Sequence, residues 1–334
     1  MNRTLSLAAT ALAALAGPGL VRAHHGTAAV SVAGPEGPGA ALETTSPLPL
    51  PKGTLFTMMK AEYVPFRKFA FAEPENKDYS SFNMFALGFG IRPWLSAYVF
   101  QPLNVKVGDG IGRNSGAGDP NLMLAFGFKY DEGFRLVPEK ESLDELLDWH
   151  FSVSVSSTIP LATTGHTDRA GAFFAPDMQL GFGAPAPGIG IAVMKQASPD
   201  LTFLTEVNYQ HFFPHTYQFT RYQFGGETRI NTAAVYRVYG RGSFRFDVAG
   251  ELNFLHLQRD EERNDAGEME ALQASGGGIL YAGLGTRLFY GPFSAAVGIR
   301  RAALKELNEG PDQQGSEGLE KFRLAATLSY STRF

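Results

Sequence analysis

A period of two runs through this chain and is clearest in its last stretch, Lys321 to Phe334. Phe322, Leu324, Ala326, Leu328, Tyr330, Thr332 and Phe334 share one face, and Lys321, Arg323, Ala325, Thr327, Ser329, Ser331 and Arg333 share the other. Such spacing specifies a β-strand with an apolar and a polar side. The pattern returns upstream, giving about twelve strands, each near the ~10 residues that cross a bilayer at a tilt. Beyond the N-terminal segment, no stretch approaches the ~20 uninterrupted apolar residues of a membrane helix. The chain is therefore either a soluble β-protein or a barrel that spans with alternating strands, and a mean hydropathy of −0.10 is compatible with both.

The connections favour the barrel. Alternation begins at Thr54, where Thr57, Met59, Ala61 and Tyr63 oppose Met58, Lys60 and Glu62. The clearest face is Leu122, Leu124, Phe126, Phe128 and Tyr130, opposite Asn121, Gly127 and Lys129. Links near residues 93, 198, 241 and 291 are very short, whereas those near 75, 113, 167, 218, 267 and 312 are long and polar. One-way insertion produces that inequality, and a sandwich has no reason for it. Residues 131–148 break the rule, because a short turn belongs there. Leu143, Leu146 and Leu147 have helical spacing, so a short helix over Glu139 to Asp148 is expected in this connection. Alternation also places Met178, Leu180 and Phe182 on a strand.

In hydrocarbon no strand can leave its edge N–H and C=O groups unpaired, so the sheet must seal on itself. The strand near Thr54 must then pair with the one near Tyr330. Charge placement agrees: Lys60, Glu62, Lys129, Glu206, Arg229, Arg237, Arg245, Asp247, Glu251, Arg287, Arg300 and Arg323 all fall on the polar face and are the candidates to line the lumen. A single Arg or Lys at mid-membrane on the opposite face would cost about 2–4 kcal/mol. A lumen of both signs suits a polar conduit, but interior ion pairs equally suit struts that plug a narrow barrel.

Residues 1–23 have the layout of a secretory signal peptide: Asn2 and Arg3, an apolar run from Leu5 to Leu15, and Val21-Arg22-Ala23 before the cleavage point. The mature chain is expected to begin at His24. Residues 24–53 contain Pro35, Pro38, Pro47, Pro49 and Pro51 and are read as an irregular, exposed lead-in, ahead of a barrel over 54–334. The chain has no cysteine, which excludes disulfides, thiolate catalysis and Cys-based zinc sites. A net charge of −4 without a basic domain argues against nucleic acid as a partner. The 38 glycines, 12 tyrosines and 27 phenylalanines suit thin, close-packed walls with rings at the membrane interfaces.

Little here points to catalysis, and no catalytic residue or cofactor is assigned. His150-Phe151-Ser152 has the His-x-Ser spacing of the outer-membrane phospholipase, but it lies on the lumen face at the turn end of its strand, where that chemistry would not meet lipid. His24 and His25 are the metal candidates, through a terminal amine and imidazole, with no third ligand nearby. His211 and His215 flank a loop whose rings are expected to form an aromatic girdle. His166 and His256 stand alone. Gly108-x-Gly110-x-Gly112 lacks the following helix that a phosphate loop requires.

Two resemblances add to this reading. The last strand resembles the closing strand of bacterial outer-membrane barrels, whose terminal Phe and upstream aromatics form an assembly signal; here these are Phe334 and Tyr330. The resemblance implies outer-membrane lipid and the barrel-assembly machinery as partners. Gly118-Asp119-Pro120-Asn121-Leu122-Met123-Leu124, running into Phe128-Lys129-Tyr130, resembles the strand opener of a family of outer-membrane barrels named for a MetA pathway of phenol degradation. Ser154 to Pro160 is similar to that family's Ser-rich strand, although its Pro-Thr-Gly corner reads Pro160-Leu161-Ala162-Thr163 here. The resemblance implies a transporter for small organic compounds, often aromatic, and carries over no functional residue.

The expected fold is thus all-β: a closed antiparallel transmembrane β-barrel of about twelve strands, with a short helix in one periplasmic connection. The expected role is a channel or transporter for a small solute in the outer membrane of a Gram-negative bacterium. A structural or adhesion barrel with a plugged lumen is the alternative.

Overall fold

The structure is a computed structural model that describes residues 38–68, 76–108, 112–142, 144–308 and 319–334. The signal-peptide reading, His24, His25 and Leu143 lie outside the described residues. Among the described residues, twelve long strands follow one another: β1 (Thr54–Pro65), β2 (Lys77–Arg92), β3 (Leu95–Gly108), β4 (Asn121–Tyr130), β5 (Trp149–Thr158), β6 (Pro187–Ser198), β7 (Leu201–Gln210), β8 (Glu227–Arg241), β9 (Phe244–Leu257), β10 (Gly277–Tyr290), β11 (Phe293–Leu307) and β12 (Arg323–Arg333). Each pairs antiparallel with its sequence neighbours.

The sheet closes where the sequence requires. Strand β1 pairs with β12 from Thr54↔Arg333 through Thr57↔Tyr330 to Tyr63↔Leu324. Beyond the seam, the amide of Phe334 donates to the Gly53 carbonyl at 3.0 Å. Among the described residues no sheet edge is left open along this wall, the condition for strands to survive in hydrocarbon. Tyr330 faces outward and packs on Phe293, ring centroids 4.9 Å apart.

Alternation sets inside from outside. Leu87, Leu252 and Leu328 are 50%, 51% and 62% exposed, while Ala86, Glu251 and Thr327 beside them are buried. The outward apolar residues continue around all twelve strands. A patch of that extent has no stable place in water, and a bilayer is the solvent it fits.

Both ends of the barrel differ from expectation in instructive ways. In the 131–148 connection the described residues form a short strand, Phe134–Leu136, paired with β4, and a three-residue 3-10 turn, Glu145–Leu147, rather than a helix over Glu139 to Asp148. Its charged side chains are engaged by the wall instead: Lys129 Nζ lies 3.1 Å from Asp148 and 3.5 Å from Glu141. At the long-loop end, residues 177–182 are not a strand. Pro176–Met178 forms a 3-10 turn, and Asp177, Met178, Gln179 and Leu180 are all buried. That segment turns inward, so both of its faces find partners and alternation carries no information. Rings of the 211–224 loop do not form a girdle. Phe212, Tyr217, Tyr222 and Phe224 close on one another as a buried cluster with Ala186, beneath a small sheet made by His215–Tyr217, Thr220–Gln223, Glu261–Arg263 and Met269–Ala271. Phe219, in contrast, is almost fully exposed.

The largest correction concerns the lead-in. Residues 38–50 are irregular, as their prolines dictate, but they are buried, not exposed. They form an excursion into the lumen from the short-turn end, anchored at Gly39 by Thr202 Oγ1 (2.9 Å) and at Leu50 by Ser96 Oγ (2.8 Å). Wall glycines make room for it. A Cβ on Gly285 or Gly298 would stand 2.2 or 2.3 Å from the Leu42 side chain, and one on Gly127 would stand 2.3 Å from Pro49 Cγ.

The assignment of faces has a direct check. Leu252 lies in β9 between Thr232 and Ala282 and points outward. Leu252→Arg is expected to lower the unfolding free energy in lipid vesicles by about 2–4 kcal/mol. A denaturant titration of the refolded variant reads it, and an unchanged midpoint would place that face away from hydrocarbon.

Candidate solute chamber

The luminal excursion is held at its apex by charge. Glu251 on β9 accepts from the Leu42 amide at 2.6 Å, the Glu43 and Thr44 amides at 3.1 Å each, and the Thr44 hydroxyl at 3.1 Å. A carboxylate collecting that many donors is a strong clamp, because charge-assisted hydrogen bonds are about twice as strong as neutral ones. Arg287 donates to the Ala41 carbonyl at 2.9 Å and to Ser294 at 3.2 Å. Glu43 at the tip reaches two further strands, 2.7 Å from Lys60 on β1 and 3.3 Å from Arg300 on β11. The wall then continues the network: Glu62 lies 3.0 Å from Arg300 and 3.4 Å from Arg323, and Arg323 lies 2.8 Å from Glu320. We call residues 38–50 the plug.

At the other end, residues 160–182 fold over the mouth as a cap. Lys77 meets Asp177 at 2.5 Å, and Lys106 donates to the carbonyls of Asp177 and Gln179. Asn114 donates to the Met178 carbonyl at 2.8 Å. Asp119 accepts from the amides of Ala162 (2.8 Å) and Phe182 (2.6 Å), fastening both ends of the cap. The two motifs that carried the family resemblance therefore meet: the Asp of the strand opener holds the corner that follows the Ser-rich strand. Burial pushes the Asp119 carboxyl above its ordinary 3.8, offset in part by the donating amides. His215, which packs on Gly183 and contacts Thr164 at 3.3 Å, is pushed below its ordinary 6.5 by burial, with Asp119 acting the other way.

Between plug and cap lie two cavities of about 80 Å³ each. One rests on Thr45 to Leu48 of the plug; the other lies beneath Leu180 and Phe182 of the cap. Glu43, Phe100, Asn121, Gln210, Arg229 and Arg300 line both. One flank is polar, with Ser152, Ser154, Asn208 and Asn231; the other is apolar, with Met84, Phe100 and Met123. Volumes this small hold water, since a cavity that takes benzene is nearer ~150 Å³. Passage of anything larger requires the plug or the cap to shift.

The twelve residues expected in the lumen are each buried or half-buried, and they divide by what they contact. Lys60, Glu62, Glu206, Arg229, Arg300 and Arg323 line the cavities. Glu206 pairs with Asn231 at 2.6 Å, and Arg229 with Glu227. Glu251 and Arg287 grip the plug. Arg245 and Asp247 form a bidentate pair at 2.7 and 2.6 Å, a strut within the wall. Arg237 is half-buried near that pair and the Pro199–Asp200 turn. Lys129 secures the 131–148 segment, as does His150, whose Nε2 lies 3.0 Å from Glu141. His150 and Ser152 are thus separated in function, one a strut and the other a cavity wall. Among the described residues no cluster of His, Asp and Glu could hold a metal. Sequence reasoning missed Glu43, Asp119 and Asn121. Glu43 sits in a Pro-rich stretch with no periodicity to mark it; Asp119 and Asn121 lie inside a quoted motif that gave no hint of geometry.

No protein-family model matches the sequence, and no curated protein matches it either. Solved structures do match. An outer membrane channel from Pseudomonas putida F1 superposes with a TM-score of 0.61 at 13% identity, over 85% of this chain and 97% of that one. At that identity the likeness shows the fold, a closed outer-membrane-type barrel. The toluene transporter TodX of Pseudomonas putida covers 95% of this chain and 100% of its own at 12% identity and a TM-score of 0.45, and a TodX deletion variant described as a monoaromatic hydrocarbon channel gives 13% and 0.47. Scores below 0.5 leave those two outside the argument.

Both closures can be loosened separately. Glu251→Ala leaves three amides and a hydroxyl without their acceptor, and amide exchange at residues 41–44 is expected to accelerate roughly ten- to a hundredfold, about 1–3 kcal/mol of local opening. Exchange at wild-type rates would show that the clamp is dispensable. For Asp119 the sign follows from its raised value: the folded state binds the proton more tightly, so stability falls as pH rises from the ordinary carboxylate range through the raised one. Asp119→Asn should remove that component. Unfolding midpoints of the two proteins compared across pH read it, and parallel curves would exclude a buried titrating carboxyl.

Proposed function

We propose that this chain is an outer-membrane channel that admits a small solute and that residues 38–50 occlude it in the state described. The observation that carries this reading is a sealed, lipid-facing barrel whose two closures leave a polar chamber between them. A purely structural barrel would do better with a packed core, because buried polar groups without partners cost about 1–3 kcal/mol each. The plug is irregular chain, held by Glu251, by the ion pairs of Glu43 and by apolar packing of Leu42 and Leu50 but by no strand pairing, so it can leave without unpairing any strand. The likeness to the Pseudomonas putida channel supports the architecture and is consistent with the role.

The finer parts of the reading rest on sequence. The layout of residues 1–23 supports export across the inner membrane with cleavage after Ala23. Tyr330 and Phe334 support delivery to the assembly machinery of a Gram-negative outer membrane. An aromatic or otherwise hydrophobic organic solute is supported by the family resemblance and by the Phe and Met side chains on the apolar flank. The plugged structural barrel remains the second reading, and the occluded lumen is the observation in its favour.

Planar bilayers separate the two. The purified wild-type barrel is expected to show small, infrequent openings, and a variant lacking residues 38–50 to show conductance at least tenfold larger. Absence of conductance in both proteins, with no response to added organic solutes, would overturn the channel reading in favour of the structural one.

A further inference from the structure

The chamber contains an amide side chain that the walls leave unsatisfied. Asn121, the first residue of β4, is 3% exposed, and neither its amide nitrogen nor its amide oxygen has a hydrogen-bond partner. An amide offers two donors and one acceptor with two lone pairs, and a buried one is normally satisfied. Its strand neighbours do not engage it: Phe100 on β3 pairs with it across one side and Thr158 on β5 across the other, each through the backbone. Asn121 lines both the plug-side and the cap-side cavity, where the two run past the same six residues. Nearby, Glu227 has one carboxylate oxygen on Arg229 and the other without a partner.

From this placement we infer that Asn121 is the solute-recognition residue of the channel, and that the solute is an uncharged molecule with an apolar body and one hydroxyl- or amide-like polar group. This rests on the channel reading above and names its substrate class. Three features define the class. The amide can receive and give a hydrogen bond at once, which a hydroxyl reciprocates and a hydrocarbon cannot. Phe100 and Met123 supply an apolar surface beside it. The cationic side chains around the cavities are already committed to carboxylates, Lys60 and Arg300 to Glu43, Arg300 and Arg323 to Glu62, Arg229 to Glu227. An anionic solute would have to break one of these pairs, a cation cannot accept from the amide N–H of Asn121, and a neutral solute meets neither obstacle.

A site built to hydrogen-bond a polar group discriminates strongly against the analogue that lacks it, because its own polar atoms are then left unpaired. The test uses the full mature chain in lipid nanodiscs, with 4-fluorobenzyl alcohol and 1-ethyl-4-fluorobenzene as probes; both enter only when a closure shifts, so that shared cost divides out of the ratio of their affinities. They differ in a hydroxyl against a methyl, and fluorine line-broadening titrations read binding of each, after subtraction of partitioning into empty nanodiscs. Wild type is expected to bind the alcohol at least tenfold more tightly than the ethyl compound. Asn121→Leu and Asn121→Ala should both bring that ratio close to one; Ala serves in case Leu hinders assembly, which heat-modifiable migration on a gel detects. A wild-type ratio near one, or a ratio unchanged in both variants, overturns the inference. Failure of the channel reading shows itself elsewhere, as absent conductance in the bilayer experiment, so the two outcomes are distinguishable.

Discussion

Everything in this molecule depends on the seam between β1 and β12. A strand in hydrocarbon has no water to satisfy its edge, so the ladder from Thr54↔Arg333 to Tyr63↔Leu324 is what permits the other eleven pairings to exist in a membrane. The seam also fixes where the plug can go. Gly53 bonds to Phe334 at the short-turn rim, so the chain just before β1 starts at the mouth of the lumen. From there it has two routes, outward across the rim or inward. The inward route offers the donors and acceptors that its irregular backbone needs, and residues 38–50 take it.

Closure of the wall creates the opposite problem inside. A twelve-stranded barrel encloses more space than its inward side chains fill, and the excess must hold water, protein or solute. Here plug and cap take most of it. They are secured in the same way, by a wall carboxylate accepting backbone amides: Glu251 for the plug and Asp119 for the cap. Each closure also packs on apolar wall: Ala41 and Leu42 cluster with Met194, Leu204 and Val235, Leu50 clusters with Phe56, Met58 and Phe100, and Phe182 of the cap packs against the ring cluster. Leu42 and Leu50 are the plug's deepest apolar anchors, and both lie against glycine-thinned wall.

The wall was legible in the sequence because two-residue periodicity is a local property that closure only reinforces. Strand number, the unequal connections, the seam and the inward set of charged residues all follow from it. What was not legible lies off the strands. Glu43 and Thr44 stand in a proline-rich run that reads as a tail, and only the position of Glu251 more than two hundred residues away gives them a place. Met178 to Phe182 alternates by accident, since a segment folded between walls is buried on every side. Lys129 and His150 have the polarity of lumen residues but act at the rim, because inward direction says nothing about height along the barrel. Asn121 is the sharpest case. Its motif could be read, yet its missing partners are a property of the assembled chamber.

In the proposed channel, occlusion and conduction are reconciled by the kind of interaction that holds the plug. Withdrawing Glu43 from a dry interior would strand Lys60 and Arg300, and breaking a buried pair in that way costs several kcal/mol. That penalty belongs to a dry lumen only. As the plug leaves, water follows it from the mouth, and the same cations become hydrated ions lining an aqueous wall. Removing the plug's apolar anchors carries its own cost, because Leu42 and Leu50 belong to buried clusters with Leu204 and Val235 and with Phe56 and Phe100, which withdrawal exposes. The electrostatic part of the barrier is therefore relieved by the wetting that opening produces, and the apolar part is not. A hydrophobic plug of equal size would lack that compensation, since water entering behind it would gain nothing from the apolar surface exposed.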